Sequence, residues 1–482
     1  MSSALVAAPG SAPARVGWKP RLIPQWHANP KIVQFSTTVQ GRALLLSFFG
    51  FLLYFSTPYW LWALTILAGT SLIPRLRTQL LGLGAVGMTL IGGSAKFSGL
   101  IHSHQAWAPY VSALACVLVF GVLLSELARR LPRSTIARRP LLTIVFSFAV
   151  LTVFATLCPM PDPLRSGVRL GVIMIGGYLW YFAYSVKDQA AQTSPPLRSQ
   201  LWTWAPVWTN ANGAGTPIGK GAAYLCRVEA KNPEELAITQ LKGVQLLMWC
   251  VLLRLLSGLF RMFAFGPDGL RVPALDDLLA SPHLPEPYIC WAALVAGFGD
   301  TLLSMAVWGN TIVAGCRMAG FRVLRNTYRP LEATSIADFW NRYYYYFKEL
   351  LVDWFFYPAY TRYFKHRPKV RMFAATIAAA TVGNMLYHFF RDIDAVWTYG
   401  IWKSIVGFRV YAFYTLVLGC GIGISQMRRK KRARGGRWRT QVRPALGVIS
   451  FFCLVHIFDY TGRDHTITQH MRFLLHLFGI EL

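Results

Sequence analysis

Apolar residues in this chain gather into long, nearly uninterrupted runs. They fall at about 43–57, 58–74, 78–94, 108–127, 140–158, 168–186, 243–265, 288–316, 372–390, 400–427 and 444–460. A bilayer core of about 30 Å needs roughly 20 apolar residues in helical conformation. Because lipid offers no hydrogen-bond partners, such runs close their backbone bonds internally as helices. The pattern therefore predicts an all-α polytopic membrane protein with about 11 transmembrane helices. The first two runs are separated by Ser56-Thr57-Pro58 and could instead form one kinked span.

Two stretches do not fit simple crossings. Residues 187–241 are long and polar, with Pro195-Pro196, several tryptophans and a glycine-rich run from Asn210 to Gly221. That run only superficially resembles a phosphate-binding loop. Gly213 and Gly219 are one residue too far apart, and Gly221 follows Lys220 where Ser or Thr is required. A turn or re-entrant loop is the better reading. In the second stretch, 331–360, aromatic residues (Trp340, Tyr343 to Phe347, Trp354 to Tyr357) alternate with Arg342, Lys348, Glu349 and Asp353. Amphipathic, aromatic-rich helices of this kind lie along the membrane interface or dip into it.

Charge gives these helices a direction. The 482 residues are 54% hydrophobic and 14% charged, with a formal net charge of +29. In a soluble chain that excess would point to nucleic acid. Here the cations sit in short loops between apolar runs, so nucleic acid is excluded as a partner and the lipid bilayer takes its place. With the N-terminus cytoplasmic, Arg75 and Arg77, the group Arg129 to Arg139, and the loop Arg428–Arg443 all fall inside. Asp268, Asp276, Asp277 and Glu286 fall outside, as the positive-inside rule requires. Residues 1–42 read as a flexible cytoplasmic tail with no apolar signal-peptide core, its Trp18 and Trp26 resting on the interface. The eight cysteines are scattered without a C-x-x-C pair, which argues against a disulfide framework and a zinc site.

Most of the ten histidines have plain explanations. His27, His283 and His366 lie in polar loops, and His456, His465, His470 and His476 occupy the last crossing and the tail. His102 and His104 form an H-x-H without a third ligand nearby, so no metal site is expected. His388 stands apart because it lies near the end of an apolar run. It is 17 residues beyond Arg371, or roughly 25 Å along a helix, which places it in the outer half of the bilayer. An ionisable side chain there is a functional candidate. Asn384, one turn earlier on the same face, could orient the imidazole. Periodicity alone leaves a structural and a catalytic histidine both open.

Asp338-Phe339-Trp340-Asn341-Arg342, followed 46 residues later by His388, resembles the membrane-bound O-acyltransferase (MBOAT) superfamily, in particular its bacterial members. The similarity covers roughly residues 200–425. It implies an MBOAT-like catalytic core over 187–427, preceded by membrane helices over 43–186. A basic loop, a last crossing and a tail then fill 428–482. Many bacterial members carry a tryptophan–histidine pair after the arginine, whereas this chain has Tyr343-Tyr344. The resemblance implies His388 as general base, with Asn341 or Tyr344 in the second catalytic position.

Chemically, the resemblance implies acyl transfer from a thioester donor, acyl-CoA or an acyl-carrier protein, as co-substrate with no bound cofactor. The donor would meet the basic cytoplasmic face, where Arg322, Arg325 and Arg329 are the candidates, with Lys365, Arg367 and Lys369 nearby. A hydroxyl acceptor, a cell-surface or secreted glycan, would arrive from the other side, with an accessory protein as a further partner. The implied location is a bacterial inner membrane. Two other classes stay open: a multi-pass transporter using His388 with Asp392 and Asp394 as a relay, and a catalytically silent MBOAT-like scaffold.

Overall fold

A computed structural model describes residues 22–92, 108–177, 179–191, 197–204, 220–428, 436–459 and 465–481. It is 81% helical, with no strand among the described residues. Within those residues, each of the eleven apolar runs falls on helix, and seven helices are long and apolar enough to cross a membrane. They are α1 (Ala108–Arg130), α2 (Pro140–Leu157), α3 (Pro233–Phe265), α4 (Pro287–Met318), α5 (Pro368–Arg391), α6 (Arg409–Met427) and α7 (Trp438–Asp459). The chain is thus a helical, polytopic membrane protein. The remaining runs form the shorter helices Val39–Tyr54, Trp60–Leu72, Arg77–Gly92 and the pair Asp162–Gly177 and Leu179–Ala190.

Local signals account for the helix ends. Asn232 caps α3, its Oδ1 accepting from Glu235 N at 2.8 Å, with Pro233 at the first helical position and Glu234 and Glu235 against the positive end of the dipole. Near the N-terminus, Pro30–Thr37 and Val39–Tyr54 meet at 97°. A Cβ on Gly41 would run into the Phe35 carbonyl oxygen, so only glycine fits this corner. The runs on either side of Ser56-Thr57-Pro58 do not continue as one span. Leu64 packs against Gly50, so the two helices fold back on each other.

Antiparallel packing organises the core. In α3 and α4, Gln240 Nε2 donates to the Met318 carbonyl at 3.0 Å and Arg261 pairs with Asp300 at 2.6 Å. In α5 and α6, Thr376 Oγ1 donates to Gln426 Oε1 at 2.6 Å, Thr381 Oγ1 to the Thr415 carbonyl at 2.9 Å and Tyr411 Oη to Asn384 Oδ1 at 3.0 Å. The ends near Arg371 and Arg428 therefore share one face of the molecule. Between α4 and α5 lie the short helices Ile336–Tyr343 and Tyr345–Leu351. They carry Phe339, Trp340, Phe347, Leu350 and Leu351 into the largest buried cluster, which also holds Tyr387, Tyr411 and Tyr414.

Two π-helical turns interrupt this region, Val352–Phe356 and, inside α5, Ala378–Gly383. They face each other: a Cβ on Gly383 would come 2.5 Å from Phe355 Cδ2. A π turn inserts one residue into the helical count and rotates the residues beyond it. In α5 the residues so rotated include Asn384 and His388.

Candidate functional site

The helix Ile336–Tyr343 begins at Ser335, whose Oγ accepts from Asp338 N at 3.2 Å. Its charged face is closed by Asp338–Arg342 at 3.0 Å, four residues apart as a helical pair should be. Its apolar face is anchored by Phe339, stacked on Phe452 with centroids 3.8 Å apart, and by Trp340 edge-on to Phe347. The extended segment after α4 is stitched alongside, with Tyr328 N donating to the Arg342 carbonyl at 2.8 Å and Tyr345 N to the Asn326 carbonyl at 3.0 Å. The Phe-Trp-Asn-Arg element is thus a rigid wedge.

His388 lies one turn from the end of α5, enclosed by aromatic rings. Tyr411 is 4.4 Å away between centroids, Tyr387 5.4 Å and Phe347 5.8 Å. Tyr387 in turn stacks on Trp180 at 5.8 Å, so the N-terminal helices also contribute to the enclosure. The imidazole is half-buried by residue, yet its Nδ1 is sealed from solvent and has no hydrogen-bond partner. Asn384 does not orient the imidazole. Its Oδ1 accepts from Tyr411 Oη instead, because α6 brings that hydroxyl against the same face of α5.

The other expected site residues are placed unevenly. Tyr344 reaches the neighbourhood of His388 through one intervening ring, Phe347, which lies 6.1 Å from Tyr344 and 5.8 Å from His388. Its hydroxyl points to Met305 Sδ, a weak acceptor. Burial foremost pushes the Tyr343 and Tyr344 phenols up, so both remain neutral donors. Asn341 is exposed and lines a separate cavity of about 140 Å³ with Trp340, Lys348, Thr376, Ala380 and Gln426. Ala380 and Thr376 precede His388 by eight and twelve residues, about 12 and 18 Å along the helix. Asn341 and His388 therefore belong to different levels of the core.

Among the donor-binding candidates, Arg322 pairs with Glu235 at 3.2 Å and Arg329 with Glu332 at 3.3 Å. Both Arg325 and Arg329 lie over the Tyr328 ring at 5.5 Å. Residues 361–370, including Lys365, Arg367 and Lys369, are all exposed. Lys220 is held by Glu349 at 3.1 Å and Asp353 at 3.2 Å, and Tyr184 Oη donates to the same Asp353 oxygen. Burial pushes the Glu349 carboxyl up, but Lys348 and Lys220 outweigh it and leave it below its ordinary value. Residues 210–219 of the glycine-rich run lie outside the described residues, as do His102, His104, Trp18 and residues 429–435 of the basic loop. Among the described residues, no group of three His, Cys, Asp or Glu side chains could hold a metal.

Sequence reasoning passed over Tyr411 and Trp180, since in isolation each reads as an apolar helix position, and it placed Phe347 only in the aromatic-rich stretch 331–360. Fold and site together define an integral membrane protein of packed helices with a histidine enclosed in its core. No protein-family model matches the chain, and comparison with curated proteins gives no match.

Proposed function

We propose that this protein is a membrane-embedded O-acyltransferase of MBOAT type. It moves an acyl group from a cytoplasmic thioester to a hydroxyl acceptor, a cell-surface or secreted glycan, across a bacterial inner membrane. One observation carries the reading: an imidazole enclosed by aromatic rings near the end of a membrane-crossing helix, with Nδ1 inside the core and unpaired. A histidine kept only for structure would be expected to hydrogen-bond there, since an unpaired buried polar atom costs about 1–3 kcal/mol.

The chemistry centres on that atom. Nδ1 of neutral His388 takes the acceptor's hydroxyl proton as its oxygen bonds to the thioester carbonyl carbon. The C–S bond then breaks, and the leaving thiolate recovers the proton from the imidazolium. The Asn341 cavity, with Lys348 on its wall, suits the donor side because it opens two to three turns nearer the basic turn at 362–371. The transporter reading is weaker. Asp392, which a relay would need, is held by Arg391 through two bonds of 2.8 Å.

The test uses purified protein with acetyl-CoA or a longer thioester and a panel of hydroxyl acceptors. His388→Ala should elute and melt like wild type and lose at least about 10²-fold in transfer. Transfer at the wild-type rate would remove the assignment, and substrate flux in liposomes without thioester consumption would favour transport.

A further inference from the structure

Two buried polar atoms lie one helical turn apart in α5, and neither has a partner. One is Asn384 Nδ2, on a side chain with 0% exposure, and the other is His388 Nδ1. Residues four apart on a helix share a face, with about 5–6 Å between their Cβ atoms. These two atoms are nevertheless not bonded to each other. Turning Asn384 over would not close the gap, because Tyr411 Oη, which can accept as well as donate, would then take Nδ2 and leave Oδ1 unpaired in its place. The Tyr411 ring also closes one side of the imidazole at 4.4 Å. Ten buried side-chain polar atoms lack a partner among the described residues, and these two are the pair that shares one helix face, where a single group could satisfy both.

We infer that Asn384 Nδ2 and His388 Nδ1 form a one-oxygen site that holds the acceptor hydroxyl for attack. The site is complementary in sense. A hydroxyl oxygen accepts a hydrogen bond from the amide N–H and donates its own proton to the imidazole nitrogen. A water molecule occupies the same position when no acceptor is bound. The inference rests on the transferase reading for its chemistry but not for the oxygen itself. As the hydroxyl proton passes to Nδ1 and the O–C bond forms, the amide N–H stays on the reacting oxygen and fixes its lone pair toward the thioester carbonyl. The C–S bond breaks, and the thiolate leaves with the proton returned by His388. Asn384 is then a second catalytic residue of the site, and Tyr411 is a positioning residue that acts through it.

The experiment measures CoA release from acetyl-CoA, with glycerol as a small hydroxyl probe, in wild type and in His388→Ala, Asn384→Leu and Asn384→Ser. Asn384→Leu removes the donor at similar volume and should lower turnover by about 10²-fold, with acetyl-CoA affinity unchanged within twofold. Asn384→Ser keeps an O–H donor in a smaller side chain and should retain turnover to within about tenfold of wild type. If His388→Ala is inactive while Asn384→Leu turns over normally, the transferase reading stands and this inference falls. If the serine variant loses as much as the leucine variant, packing rather than donation is responsible, and the inference also falls. A second readout needs no activity and applies even if a variant fails to fold: an experimental map of the wild-type protein. An ordered oxygen within hydrogen-bonding distance of both Asn384 Nδ2 and His388 Nδ1 is expected. A direct bond between the two side chains, or an empty gap, overturns the site.

Discussion

At the scale of the residue, the chemistry concentrates in a few side chains whose partners differ from those the chain order suggests. His388 was legible in the sequence because an ionisable group near the end of an apolar run stands out against its surroundings. Asn384 was legible as its neighbour on the helix face. The Asn384 carbonyl's real partner, Tyr411, lies 27 residues later on another helix, and helical periodicity carries no information across that distance. Tyr344 shows the same limit. The resemblance assigns it a second catalytic position, but its hydroxyl meets Met305 and Phe347 stands between its ring and His388. Tyr344→Phe should therefore lower transfer less than about tenfold and change stability by no more than about 1 kcal/mol. A loss matching that of His388→Ala in the same CoA-release assay would restore Tyr344 to the reacting centre.

Between elements, the two π turns decide how α5 presents its face. Phe355 fills the space that the missing Cβ of Gly383 leaves open, so the turns hold each other in register. Gly383→Ala should destabilise the protein by about 1–3 kcal/mol through overpacking, and pairing it with Phe355→Leu should recover part of that loss. The check is a thermal melt of both single variants and the double. Strict additivity would show that the two positions do not couple. Lys220 makes a second link, joining the end of the 187–220 connection to Glu349 and Asp353. Lys220→Ala takes from partly buried Asp353 its lysine partner, whereas Glu349 keeps Lys348. The substitution should lower stability by about 1–3 kcal/mol, less than a fully buried pair would because both carboxylates keep some solvent. An unchanged melting temperature would make this ion group ornamental. Neither link could be read from the sequence, which shows glycines and charges but not the groups they face.

For the molecule as a whole, the antiparallel α5 and α6 bring the basic stretches near Arg371 and Arg428 to one end, which agrees with their common assignment to the cytoplasm. Cysteine accessibility in sealed inside-out and right-side-out vesicles tests that orientation. Lys365→Cys should label only from the cytoplasmic side and Asp268→Cys only from the other, whereas labelling of both from one side would sink it. The eleven apolar runs appear as helix, but among the described residues only seven helices meet the length and apolarity of a crossing. Val39–Tyr54 and Trp60–Leu72 are 16 and 13 residues long, shorter than a full crossing, and the second packs through Leu64, Ile66 and Trp62 against Gly50, Gly84 and Gly87.

Residue order alone establishes that this is a helical membrane protein, which face of it is basic, and that His388 is the ionisable group to explain. Each of these depends on composition or on a local period of 3.6 residues, and a linear chain displays both. Only the packed molecule could decide that Asn341 and His388 stand at different levels, that Tyr411 takes the Asn384 carbonyl, and that Asn384 Nδ2 and His388 Nδ1 are both left unpaired. Those facts depend on a π-turn rotation inside α5 and on contacts between segments distant in sequence, and neither leaves a periodic trace in the order of residues.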